Sequence, residues 1–238
     1  MYGSWVLLVL ILVSSLPVIA VYLWFRAAKF QLSVVGFLLA LLAGATAVFP
    51  ALLLQDLLDI TFSEPGRAEL FYHVFFRVAF TEELSRLLML FLFFWAFNRI
   101  LDSKARDEKP NQIVTYNVLK KGTAVGLIAG LGFALLESAR YAAFDMSLEI
   151  VLLRFFTATL HGACGSRIGA AAVLFRTSPV QALLRILTAT AIHGVYNFMV
   201  TIPGIPSIAA ILIAISAFAT AIMAIRGGWA IDKTEEKT

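Results

Sequence analysis

Long apolar stretches alternate with short polar joints along the whole chain. Stretches of spanning length lie near residues 5–25, 32–54, 70–98, 117–143, 149–175, 180–201 and 205–225. Each reaches or exceeds the ~20 residues that an α-helix needs to cross the hydrocarbon of a bilayer. The pattern predicts an all-α, polytopic transmembrane bundle of about seven helices. The joints carry turn and charge signals. Ser63-Glu64-Pro65-Gly66, Thr177-Ser178-Pro179 and Pro203-Gly204 read as tight connections. Asp102 to Asn111 reads as a charged loop, and Asp232 to Thr238 as a solvated charge run. The first stretch, Trp5 to Phe25, has no basic start and is longer than the core of a cleaved signal peptide, so a retained helix is expected. No internal repeat is visible, and the joints leave no room for a separate soluble domain. Residues 1–238 are therefore expected to form a single integral membrane domain.

Composition supports lipid as the solvent. The chain is 61% hydrophobic and 14% charged, whereas a soluble surface of this size needs roughly 25% charged residues. The net charge of +4 would suit nucleic acid, but the basic residues are sorted by joint. One alternate set of joints holds Arg26, Lys29, Arg99, Lys104, Arg106, Lys109, Lys120, Lys121, Arg176, Arg226, Lys233 and Lys237. The other holds Arg67, with Asp56, Asp59, Glu64, Glu69, Asp145 and Glu149. By the positive-inside rule the N-terminus lies outside and the C-terminus in the cytoplasm, which an odd number of spans satisfies. Loop 99–116 and tail 226–238 are then cytoplasmic. The basic residues read as topology determinants and anionic-lipid contacts, not as a nucleic-acid surface. Cys164 is the only cysteine, which excludes an intrachain disulfide and a cysteine zinc cluster.

An ionisable residue at mid-bilayer costs about 2.5–3.5 kcal/mol on insertion scales, so it persists where it has a partner or a task. The third span carries Glu82, Glu83 and Arg86, the fourth Glu137, the fifth His161, and the sixth His193 and Asn197. At 1.5 Å per residue, Glu82 lies ~16 Å from the outer end of its span, Glu137 ~9 Å, His161 ~18 Å and His193 ~12 Å. One layer in the outer half of the membrane holds all four, which predicts a convergent site. His193 and Asn197 are i,i+4 and share a face. Gly122, Gly126 and Gly130 form a small-residue stripe for close helix approach, and seven residues on is Glu137. His161 heads a second stripe with Gly165 and Gly169. Glu82 and Glu83 differ by ~100° around the axis. One is therefore expected to face the site while the other pairs with Arg86.

Each residue also has a structural reading. Glu83 and Arg86 would form a buried ion pair, and His161 or His193 with Asn197 an interhelical hydrogen bond. Glu137 would pair with Arg140 or reach the interface. Arg140, Arg154 and Arg185 sit near helix ends and are expected to snorkel. Arg77 and Arg167 lie deeper and need partners. The phenylalanines read as lipid-facing or core filling.

Together the polar set makes an acyl-hydrolysis kit. Burial disfavours the charged form of a carboxylate and turns it into a general base effective near neutral pH. A histidine or second carboxylate holds the attacking water, and a further histidine with an asparagine amide donates to the oxyanion. Two histidines and a carboxylate also match the ligand set of a catalytic zinc site. The HExxH helix of the best-known zinc proteases is absent from the sequence.

These motifs resemble the PrsW family of intramembrane proteases, within the superfamily of CAAX prenyl endopeptidases and bacteriocin-processing enzymes. Four ordered pieces carry the resemblance between about residues 70 and 201, the expected catalytic core. They are Glu82-Glu83 with Arg86; Gly132-Phe133 with Glu137, Ser138 and Tyr141; His161-Gly162; and His193 with Asn197. Many family members have lysine at the Arg86 position and asparagine at the Ser138 position. The CAAX branch usually has histidine where Glu137 stands. The resemblance implies cleavage of membrane-anchored proteins near a transmembrane segment, with regulatory proteins such as anti-sigma factors as the substrate type. It also implies a prokaryotic cytoplasmic membrane. The site depth places cleavage near the outer face. Glutamate-activated water is preferred over zinc, with Glu82 as base and Glu83 and Arg86 orienting it, or with the two glutamates in exchanged roles. Glu137 and His161 then position the water, or a metal, and His193 and Asn197 stabilise the oxyanion. The alternatives are a non-catalytic membrane scaffold of the same superfamily and a proton-coupled transporter.

Overall fold

The computed structural model describes residues 2–30, 32–60, 62, 66–101, 112–141, 148–202 and 207–235. The chain is 91% helical, with no strand among the described residues. Lipid offers no hydrogen bonds to an exposed backbone, so a spanning segment must satisfy its own amides within one helix. The elements are α1 (Tyr2–Ala27), α2 (Val34–Thr46), α3 (Val48–Leu57), α4 (Arg67–Phe71), a π-helix π1 (Tyr72–Phe80), α5 (Thr81–Leu101), α6 (Gln112–Tyr141), α7 (Leu148–Leu174), α8 (Pro179–Thr201) and α9 (Ser207–Glu235). Helices α2 and α3 run on from each other, as do α4, π1 and α5. The result is seven rods, matching the seven apolar stretches to within a few residues at most ends. Among the described residues, five helices are long and apolar enough to cross a membrane. The other two rods, α4-π1-α5 and α7, hold much of the polar cluster described below.

Two features differ from expectation. Helix α9 runs on to Glu235, about ten residues beyond the apolar stretch and through Gly227 and Gly228. The third rod is π-helical over nine residues before Thr81, and neither the periodicity nor a Gly or Pro signalled it. The joint residues 63–65, Asp102 to Asn111, Asp145 and Pro203-Gly204 lie outside the described residues.

Helix α6 is the central rod: 78% of its apolar window is buried, against 28–33% for the other four candidate spans. Glycine makes this burial possible. A Cβ on Gly126 would stand 2.7 Å from the Gly169 Cα, and one on Gly165 2.8 Å from the Gly130 Cα, so α6 and α7 meet backbone to backbone. On its other side α6 receives α2, where a Cβ on Gly44 would stand 2.6 Å from the Ala129 Cα. The local ends follow ordinary chemistry. The Ser33 hydroxyl accepts from the Gly36 amide at 3.0 Å and caps α2. Pro179 starts α8, where its missing N–H is no loss.

Candidate active site

The π-helix delivers Glu82 and Glu83 on the first turn of α5. Thr81 closes the transition by donating to the Arg77 and Val78 carbonyls at 2.6 and 2.9 Å. Such widened turns recur at functional sites because they change the phase of the side chains that follow. Helix α6 brings Glu137, α7 brings His161 and α8 brings His193. All four groups enter one polar cluster.

Arg86 lies at its centre, fully buried, with its guanidinium 4.6 Å from the Phe133 ring centroid. It pairs with Glu83 Oε1. It also donates to His161 Nδ1 at 3.1 Å and to the His161 carbonyl at 3.3 Å. Glu82 Oε2 is farther off, 3.9 Å from the guanidinium. The two adjacent glutamates thus divide as their ~100° separation requires.

The hydrogen-bond partners assign the histidine tautomers. His161 Nδ1 accepts from Arg86, so its Nε2–H donates to Glu137 Oε2, 3.0 Å away. His193 Nδ1 faces the Glu83 carboxylate at 2.8 Å and donates to it. In the neutral ring this leaves His193 Nε2 as an acceptor, 3.7 Å from Glu82 Oε2. The two rings stand edge to face with centroids 4.9 Å apart.

Glu137 does not pair with Arg140 or reach for the interface. Its partner is Arg154, at 2.7 Å. This also corrects the expectation that Arg154 snorkels: it is buried, and it donates to Ser138 Oγ at 3.0 and 2.9 Å. The Ser14 hydroxyl completes this arm by donating to Ser138 Oγ at 2.8 Å, which ties α1 to the site. Arg154 was legible in principle. It lies six residues into α7, and Glu137 four residues from the end of α6, which at 1.5 Å per residue gives similar depths of ~9 and ~6 Å. Opposite charges so close in depth in a low dielectric should pair.

Gln55 is a further residue that the sequence motifs did not point to. It reaches over from α3, and its amide donates to Glu82 Oε1 at 3.3 Å. Arg77 holds that region in place by bonding Asp59 at 2.7 Å and the Gln55 carbonyl at 2.9 Å. Asn197, one turn beyond His193, is half-buried, and its amide makes no hydrogen bond to the cluster among the described residues.

Two carboxylate oxygens, Glu82 Oε2 and Glu83 Oε2, are buried without a hydrogen-bond partner among the described residues. They are not equivalent. Glu83 is tied through its other oxygen to Arg86 and His193, whereas the only hydrogen bond to the Glu82 carboxylate among the described residues comes from a neutral amide. Glu82, His161 and His193 also offer ligand atoms that all lie within 4.8 Å of one another. Two histidines and a carboxylate fit a divalent cation such as zinc. Glu82 Oε2 and His193 Nε2 are free to ligate, while His161 would exchange one of its present bonds.

Neither a curated protein nor a solved structure matches the chain. The profile of the family described as PrsW family intramembrane metalloprotease matches residues 33–225, which include the whole cluster apart from the Ser14 tether. With its membrane-spanning helices and this match over well more than half its length, the chain belongs to the PrsW family of intramembrane metalloproteases.

Proposed function

We propose that this protein hydrolyses a peptide bond of membrane-anchored protein substrates, with Glu82 as the general base that activates water. The buried, unpartnered Glu82 Oε2, facing His193 Nε2 at 3.7 Å, is the observation that carries this reading. A water within reach of both atoms would lose its proton to Glu82 as it attacks the carbonyl. Glu83 and Arg86 hold the His193 ring so that Nε2 points at Glu82. Glu137, itself paired with Arg154, fixes the His161 ring by accepting from its Nε2–H. Gln55 orients the Glu82 carboxylate and carries a polar amide beside the reacting atoms. His193 donates to the oxyanion only as the imidazolium, so it takes up a proton from water before the attack and returns it as the oxyanion collapses, while the proton on Glu82 passes to the leaving amine. Asn197 is placed to assist on the same face of α8.

The charge count supports a site that handles a proton or a cation. Among the described residues, Glu82, Glu83 and Glu137 against Arg86 and Arg154 make three negative and two positive charges when all are ionised, a net of −1 with neutral histidines. The second reading rests on the family's description and on the donor set. Glu82, His161 and His193 would hold zinc, which when bound would polarise the carbonyl and supply hydroxide at neutral pH. The expected substrate is a regulatory protein with one membrane anchor, cut near the outer face of a prokaryotic cytoplasmic membrane.

The test is cleavage of candidate membrane-anchored substrates by purified, reconstituted protein, with and without a chelator. Glu82→Gln, Glu137→Gln and His193→Ala should each abolish cleavage while the protein still inserts. Full activity in all three variants would rule out the mechanism. Loss of activity to the chelator, restored by zinc, would replace the glutamate-only reading by the metal one. A scaffold would instead lose partner assembly in Glu82→Gln and cleave nothing as wild type.

A further inference from the structure

A second polar feature lies away from the cluster, where α8 packs over α7. Gln181, Leu184, Arg185 and Thr188 recur at i, i+3, i+4 and i+7, so they form one face of α8. Together with Arg167 of α7 they line an open-sided cavity of about 320 Å³. Arg167 spans the floor, donating to the Ala163 carbonyl at 2.8 Å and to Thr220 Oγ1 of α9 at 2.7 Å. Arg185 makes no hydrogen bond or ion pair among the described residues, and no carboxylate there pairs with either arginine. Two guanidiniums of like charge thus share one cavity in a membrane-spanning segment without a counter-ion. They lie six and seven residues from the α8 start at Pro179 and the α7 end at Leu174, so each is ~9–10 Å inside that end of the bundle.

We propose that this cavity binds the headgroup phosphate of an anionic phospholipid. The two guanidiniums supply the charge-assisted donors that a phosphate needs, and the Gln181 amide adds a neutral donor at the rim. The volume is at the small end of ligand sites, ~300–1,000 Å³, which suits a headgroup and not a whole lipid. Leu183, Leu184 and Leu187 are exposed on the same helix and offer a track for the acyl chains. The depth places the arginines just below the headgroup level, where a basic pocket between helices meets anionic lipid. By the charge distribution of the loops this is the cytoplasmic leaflet.

The test uses the full-length protein in a neutral detergent, titrated with short-chain phosphatidylglycerol, short-chain phosphatidylcholine or inorganic phosphate. Binding is read by native mass spectrometry. Wild type should retain phosphatidylglycerol in preference to phosphatidylcholine. At ~1 kcal/mol per arginine, R185Q should weaken the anionic lipid about five-fold and R167Q/R185Q about thirty-fold. Helix content by circular dichroism should not change. If the double variant does not fold, Leu184→Trp makes the same test, since that lipid-facing residue can fill the cavity without touching the charges. Equal retention of phosphatidylglycerol by wild type and by R185Q and Leu184→Trp would overturn the proposal. So would displacement of the lipid by equimolar free phosphate, or a preference of the same cavity for an acidic peptide over phosphatidylglycerol.

Discussion

The α6–α7 contact is the part of the structure on which the site depends most, and Gly130 is where a single methyl group tests it. A Cβ built on Gly130 stands 2.6 Å from the His161 carbonyl carbon and 2.9 Å from the Gly162 Cα, with the His161 oxygen closer still. Ordinary van der Waals contact starts at 3.4 Å, so the carbon alone requires 3.4 − 2.6 = 0.8 Å of separation, and the oxygen more. The obstacle is backbone on both sides, so no rotamer change relieves it. The residue displaced is His161, whose carbonyl accepts from Arg86 and whose ring joins Arg86 to Glu137. Overpacking a close-packed interface costs typically ~1–3 kcal/mol. A misplacement of about 1 Å in a catalytic constellation lowers the rate by roughly 10²-fold. Gly130→Ala should therefore unfold earlier in a thermal or SDS titration and cleave a membrane-anchored substrate on the order of a hundred times more slowly. Gly227→Ala is the matched control, because nothing lies within 4 Å of its Cβ. Equal stability and equal cleavage by the two variants would refute the argument that glycine contact sets the geometry of the site.

Other outcomes follow from the same contacts. Arg154→Gln leaves Glu137 buried without its charge partner and should destabilise the protein by about 3–5 kcal/mol in a reversible unfolding titration. Exposed Arg140→Gln should change stability by less than ~0.5 kcal/mol. Gln55→Ala removes the one hydrogen bond to the Glu82 carboxylate among the described residues and should lower kcat roughly ten-fold with little change in KM, at the ~1.4 kcal/mol that a lost hydrogen bond near charge is worth. An effect on KM alone would mean that Gln55 contacts substrate and does not position Glu82. Arg86→Lys keeps the charge but loses the fork that reaches both Glu83 and His161. It should therefore retain more stability than Arg86→Gln in the same titration, while cleaving more slowly than wild type.

The sequence alone determined the class of molecule and its number of rods. Apolar runs of spanning length leave the backbone no alternative to a helix in lipid, and charge is too scarce for a water-facing surface. The same argument picked out Glu82, Glu83, Arg86, Glu137, His161 and His193, because a polar residue inside a bilayer needs a reason to be there. The glycine stripes on α6 and α7 were legible for a similar cause: only a missing side chain allows backbones to touch. What the tertiary structure decided is which of those groups meet and through which atoms. Pairing of Glu137 with Arg154 instead of Arg140 depends on the azimuth of α7 against α6, which no spacing within one helix encodes. Gln55 and the Ser14–Ser138 tether come from rods distant in sequence, and the π-helical stretch shifts the phase of α5 against any count made at 3.6 residues per turn. Periodicity along one helix sets a face and a depth. Only packing between helices sets a partner, because the partner's direction is a property of two axes at once.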